Sequence, residues 1–325
     1  MRRRRLLIAA ALVAAASFAL LTALLWRDPY RVVLADYTRQ RIAAGLSRDS
    51  VVVAGHRWVY AYNDEAPANA PVLVLVHGFT GSKENWYPLA QRLRGRYRLL
   101  IPDLPGWGES QRVAGADYGF LAQSARVAAF IEQVARPRGG QVVLLGHSMG
   151  GGIAALTAAR HTGAVDRIGL LDAAGVRFRD NRFGEQVLAG ANPFAVVDQA
   201  SLRRYIDTVF YDGRAKPLIP WPADRIYIAR RKRDAAFEQA VLDRIGRGPE
   251  RFLPGEAAAG IRQPALLLWC RQDAVIDASA LELYAQRMPQ ALRVLLDGCG
   301  HMSPIEQPDA VAQAVVGLIE KGQSR

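Results

Sequence analysis

The chain has 325 residues, half of them hydrophobic and 22% charged, with a formal net charge of +12 and two cysteines. That is an ordinary globular balance, long enough for one α/β domain carrying an insertion. Cys270 and Cys299 lack metal-ligand spacing, and the chain is too large to need a disulfide scaffold. The basic excess comes with no nucleic-acid motif, so the expected partner of that charge is an anionic lipid surface and not nucleic acid.

Arg2, Arg3, Arg4 and Arg5 precede residues 6–26, which carry no charge and are interrupted only by Ser17 and Thr22. About 20 apolar residues cross a bilayer as a helix, whereas a cleaved leader has a core of about 7–15. Ala14, Ala15 and Ala16 would suit a cleavage site, but the apolar run continues past them to Trp26. Residues 1–26 therefore read as a single-pass membrane anchor, with a cleaved signal segment and a secreted domain as the alternative. An arginine cluster stays cytoplasmic. The remaining chain then lies on the non-cytoplasmic side, the periplasm in a Gram-negative source.

Residues 27–50 hold Arg27, Arg31, Arg39, Arg41 and Arg48 among apolar positions and read as a basic, partly helical juxtamembrane stalk. The folded domain is expected over 51–325. It opens with a hairpin, 51–53 and 56–62, turning at Ala54 and Gly55. Residues 63–71 are a loop. Residues 72–76 form a buried strand that runs into His77-Gly78-Phe79-Thr80-Gly81-Ser82. A helix at 85–93 and a strand at 97–101 follow, then Asp103-Leu104-Pro105-Gly106-Trp107-Gly108 and an amphipathic helix at 118–135. Residues 142–145 are a buried strand that meets Gly146-His147-Ser148-Met149-Gly150, a G-x-S-x-G sequence, and then an Ala- and Leu-rich helix. After a strand at 168–171 the rhythm breaks. Residues 173–260 show no buried strand and mix Phe178, Phe183, Phe194, Tyr205, Trp221 and Phe237 with many arginines, as a helical cap insertion would. Strands return at 265–269 and 292–296, and a helix at 307–320 closes the domain. This alternation predicts an α/β fold with a mostly parallel sheet flanked by helices.

A strand, a sharp turn with serine at its apex and a helix are the context of a nucleophile elbow. Small residues must flank the serine, and Gly146 and Gly150 meet that demand. The bland alternative is a glycine-rich turn whose Ser148 merely caps the helix. A serine hydroxyl needs a base, and the base needs an orienting acid. His301 follows the last strand and Asp273 the one before it, which makes Ser148, Asp273 and His301 the catalytic candidates. Asp277 could replace Asp273, and Asp172 is a lesser rival. His147 and His77 read as structural. The developing oxyanion needs backbone donors, expected from Met149, next to the nucleophile, and Phe79, after the early strand.

His77-Gly78-Phe79, Asp103 to Gly108, Gly146 to Gly151, Gln272-Asp273 and Gly298-Cys299-Gly300-His301 together resemble the α/β-hydrolase superfamily over residues 51–321. Within it the chain looks like membrane-anchored monoacylglycerol lipases and bacterial lipases of the Moraxella type. The resemblance implies cofactor-free and metal-free hydrolysis of carboxylic esters, acylglycerols among them. Relatives using the same triad on carbon–carbon bonds, and a catalytically silent binding protein, are the competing functions. Ser148 excludes relatives with an aspartate nucleophile. Two further expectations concern the surroundings of the site. Arg225-Ile226-Tyr227-Ile228-Ala229-Arg230-Arg231-Lys232-Arg233 would dock the cap on lipid, unless it is a solvated helix face. Cys270 and Cys299 end neighbouring strands, and buried free thiols are favoured over a disulfide.

Overall fold

The computed structural model describes residues 2–63 and 65–320. The outer limits expected for the anchor and the domain, residues 1 and 325, lie outside the described residues, as does position 64 of the predicted loop. Eight strands form one sheet: β1 (Ser47–Val53), β2 (His56–Tyr62), β3 (Val72–Val76), β4 (Arg98–Pro102), β5 (Val142–His147), β6 (Arg167–Leu171), β7 (Ala265–Cys270) and β8 (Leu292–Leu296). Their order is β1-β2-β4-β3-β5-β6-β7-β8. The β1–β2 and β2–β4 pairs are antiparallel, and all pairs from β4 to β8 are parallel.

Strands β3, β5, β6 and β7 are buried throughout. Their continuous apolar runs serve a sheet covered on both faces. Side chains alternate across it. Val72, Val74 and Val76 join the core under α4 (Phe120–Phe130), α5 (Met149–Arg160) and the cap, while Leu73 and Leu75 join the core under α3 (Tyr87–Leu93) and α12 (Pro308–Glu320). The cap lies between β6 and β7 and contains α6 (Arg182–Leu188), α7 (Gln199–Val209), α8 (Ala223–Leu242) and α9 (Leu253–Ala257). Two short helices complete the domain, α10 (Ser279–Ala285) and α11 (Ser303–Glu306).

Three expectations shift. Strand β1 begins at Ser47, four residues before the apolar signal, because residues 47–50 are exposed and polar and are held by backbone pairing to Val59–Tyr62. The stretch expected to be a stalk, 27–50, therefore gives its last four residues to the sheet. Its helix, α2 (Arg31–Ala43), leads into Ala44 and Leu46, which are buried with α3 in the main domain. The long helix predicted at 118–135 is α-helical only to Phe130 and widens into a π turn over Ile131–Ala135. The N-terminal helix α1 (Arg2–Arg27) is continuous, with a mean hydropathy of 2.4 and no part of it buried, so it is long and apolar enough to cross a membrane.

Candidate active site

Ser148 sits between β5 and α5 with φ 56° and ψ −122°, a conformation that L-residues avoid. The sequence around it makes that turn possible. A Cβ on Gly146 would overlap the Gly150 carbonyl, and one on Gly150 would overlap the carbonyls of Val76 and His77. On the other side, a Cβ on Gly78 would lie 2.9 Å from Ser148 Cβ, so the loop after β3 closes directly over the serine.

The loops after β7 and β8 deliver the other two candidates. Ser148 Oγ lies 2.9 Å from His301 Nε2, and Asp273 Oδ2 lies 2.8 Å from His301 Nδ1. Asp273 Oδ1 accepts the backbone N–H of Val275 (2.8 Å) and of Ile276 (3.0 Å). Nδ1–H must face the carboxylate, which leaves Nε2 with a lone pair toward the serine hydroxyl. Burial pushes the His301 imidazole down to about 3, while Glu306 acts in the opposite sense. Burial raises the Asp273 carboxyl, and its two backbone donors favour the ionised form.

The rival acids are elsewhere. Asp172 is fully buried with φ 47° and accepts Cys270 N–H at 2.9 Å and the Ser303 hydroxyl at 2.5 Å. Burial, and after it the nearby Asp273, raises its carboxyl. Asp277 accepts Ser279 N–H at the start of α10. His147 donates Nε2–H to the His301 carbonyl at 2.6 Å and thereby holds the backbone of that loop. His77 donates Nδ1–H to the Gly78 carbonyl (2.8 Å) and accepts Leu104 N–H at Nε2 (3.0 Å). Burial lowers it to about 4, and a proton on Nε2 would face the Leu104 donor.

Beside Ser148 opens a cavity of about 390 Å³, to which Phe79 and Met149 both contribute. Its walls are mainly apolar and include Phe120, Phe183, Val187, Phe194, Leu242 and Ile245, so the cap supplies most of the lining. Among the described residues no group of three or more His, Cys, Asp or Glu side chains is arranged to hold a metal ion.

Residues 71–308 match the family described as the alpha/beta hydrolase fold. Lipase 3 of Moraxella sp. (strain TA144) is 30% identical over 274 residues, covering 82% of each chain. Monoacylglycerol lipase ABHD6 of Rattus norvegicus is 24% identical over 310 residues, covering 91% of this chain and 88% of the relative. A solved structure described as a membrane phospholipase A, a bacterial virulence factor, superposes with a TM-score of 0.85 at 31% identity, covering 99% of this chain and 100% of that one. The chain belongs to the α/β-hydrolase family.

Several groups in this hydrolase escaped sequence reasoning. Glu306 accepts four backbone N–H groups: Gly300 (2.9 Å) and Met302 (3.3 Å) on Oε1, and Tyr211 and Asp212 (2.8 Å each) on Oε2. It ties the His301 loop to the cap. Lys83, 2% exposed, ion-pairs with Asp103 (2.9 Å), Glu84 (2.9 Å) and Glu109 (2.8 Å), and its N–H also binds Asp103. Burial acts to lower its basicity, but the Asp103 and Glu84 carboxylates outweigh that and keep the ammonium charged. This fastens the loop after β3 to the loop after β4. The adjacent Lys83 and Glu84, closing the uncharged run from Gly78 to Ser82 after a buried strand, were the available signal. Cys270 and Cys299 form a disulfide, contrary to the free thiols favoured from sequence. The sulfurs meet because β7 and β8 pair up to Cys270 and Leu296, three residues before Cys299. The docking stretch on α8 also needs correction. Arg231 is buried, paired with Glu238 at 3.1 Å and bonded to the Phe194 carbonyl at 2.7 Å, so it holds the cap together and faces no lipid.

Proposed function

We propose that this protein is a membrane-anchored serine hydrolase of the lipase type that cleaves carboxylic esters, with acylglycerols or related lipid esters as substrates. Ser148 Oγ attacks the ester carbonyl while its proton passes to His301 Nε2. Asp273 holds the Nδ1–H tautomer and stabilises the imidazolium that forms. The Phe79 and Met149 amides donate to the oxyanion, each worth about 10²–10³ in rate. The tetrahedral intermediate expels the alcohol, which takes the proton from His301. Water then adds to the acyl carbonyl as it gives a proton to His301, and the second tetrahedral intermediate releases the acid as His301 returns that proton to Ser148 Oγ.

The observation that carries this reading is the hydrogen-bonded chain Ser148–His301–Asp273 at the mouth of a largely apolar cavity. An acyl chain fits such walls, whereas a dienoate acid for carbon–carbon cleavage would call for polar ones. The helix α1 supports an anchor, and the cluster Arg2, Arg3, Arg4 and Arg5 supports a catalytic domain on the non-cytoplasmic side. A fluorophosphonate probe should label the wild type and fail on Ser148→Ala. A screen of p-nitrophenyl esters and monoacylglycerols should then show hydrolysis. Labelling of the variant, or turnover of dienoate ketones and not esters, would overturn the proposal.

A further inference from the structure

The described surface of the cap carries one exposed apolar tip with no partner in the fold. In the segment linking α7 to α8, Leu218 is 91% exposed, Trp221 71% and Tyr211 56%. Large apolar side chains left exposed in one connecting segment point to an interaction surface. Cations lie on the two flanking helices. Arg203 and Arg204 on α7, and Arg225, Lys232 and Arg233 on α8, are exposed and have no carboxylate partner among the described residues. Arg225, Ala229, Lys232, Arg233 and Ala236 fall on one exposed stripe of α8, at helical spacing.

One contact places this stripe close to the point where the chain leaves α1. The Arg230 guanidinium stacks 3.9 Å over the ring of Tyr30, and Tyr30 lies three residues beyond the last residue of α1. From Arg230 back to Ala223 is about 10 Å along α8, at about 1.5 Å per residue. The apolar tip precedes Ala223 directly. The candidate anchor and an exposed apolar segment flanked by cationic helices therefore lie on neighbouring parts of the molecule.

We infer that the segment 211–222 is a second membrane contact, in which Leu218 and Trp221 enter the headgroup region of an anionic bilayer while Arg203, Arg204, Arg225, Lys232 and Arg233 meet lipid phosphates. The inference rests on the reading of α1 as an anchor. Tryptophan belongs at that depth. Each cation near an anionic surface is worth about fivefold in partitioning. The contact replaces the basic stretch expected from sequence: Arg230 and Arg231 are engaged within the fold, and the tip supplies the apolar part. It would fix the tilt of the cap relative to the lipid from which the cavity is filled.

The test uses the full chain reconstituted in phosphatidylglycerol-containing vesicles and, separately, in purely zwitterionic ones. Leu218→Cys carries an environment-sensitive fluorophore, and Arg262→Cys, exposed ahead of β7 at the opposite end of the strands from the cap, is the control. Doxyl-labelled lipids should quench the probe at 218 several-fold more than at 262, and more strongly in the anionic vesicles. Leu218→Asp combined with Trp221→Asp should lower turnover of vesicle-borne ester by about fivefold or more while leaving a soluble ester unaffected. Equal or absent quenching at 218 in protein that floats with the vesicles overturns the contact, whether the tip meets another protein or nothing. Failure to float overturns the anchor and the contact together.

Discussion

At the scale of single residues, two buried carboxylates lie close together but do different work. Asp273 touches His301, whereas Asp172 braces Cys270 and Ser303. Asparagine at 273 presents the wrong hydrogen-bond partner to Nδ1, so Asp273→Asn should lower kcat by about 10⁴. Asp172→Asn keeps the His301 contact and should lose far less kcat, with its effect falling on the melting temperature. Parallel kinetics and melting curves on the two variants check the assignment. The pH dependence follows from His301. In the proposed mechanism it acts as a base only when neutral, and burial holds its imidazole well below the ordinary value of 6.5. Lowering the pKa keeps the base neutral into the acid range, so the acid limb of kcat/KM should fall below pH 6.5 with a soluble ester. A limb above 6.5 would mean that the Asp273 charge outweighs burial in the free enzyme.

At the scale of elements, the two loops that carry Asp273 and His301 are fastened to each other and to the cap. The Cys270–Cys299 bond closes a span of 29 residues. Such a loop contributes about 3–4 kcal/mol by constraining the unfolded chain. Replacing both cysteines by alanine should lower the melting temperature by roughly 6–12 °C in calorimetry. Glu306 is the other fastener. Glu306→Gln replaces one acceptor oxygen with an NH₂ group and so orphans two of the four backbone donors. Displacement of His301 by about 1 Å would cost kcat about 10²-fold with little change in KM; equal losses in both would point to a collapsed cavity. These fasteners explain what was legible beforehand and what was not. Strands β3, β5, β6 and β7 announce themselves as apolar runs, and Ser148, Asp273 and His301 follow from their places after strands. Glu306 was hidden because its partners are main-chain amides, two nearby in its own loop and two in the cap 94 and 95 residues upstream, which leave no side-chain pattern. The first half of β1 was hidden for a related reason: Ser47, Arg48, Asp49 and Ser50 bury no apolar side chain and are held by backbone pairing, with Arg48 also paired to Glu109 and Asp49 accepting the Tyr60 hydroxyl.

At the scale of the whole molecule, two unrelated features bear on which side of the membrane the domain occupies. The cluster Arg2, Arg3, Arg4 and Arg5 ahead of α1 favours retention of that end in the cytoplasm. The disulfide between β7 and the loop after β8 persists only where thiols are not kept reduced. Both favour the proposed placement of the domain on the non-cytoplasmic side. The chain has no cysteine other than Cys270 and Cys299, so the redox state of this pair reports the compartment directly. Cells of a Gram-negative host expressing the full chain are quenched with acid, denatured and treated with a maleimide-linked polymer, with or without prior reduction. The protein should shift in size only after reduction, by two polymer units. A shift without reduction would place the domain on the reducing side of the membrane, and would then require the arginine cluster to have crossed it.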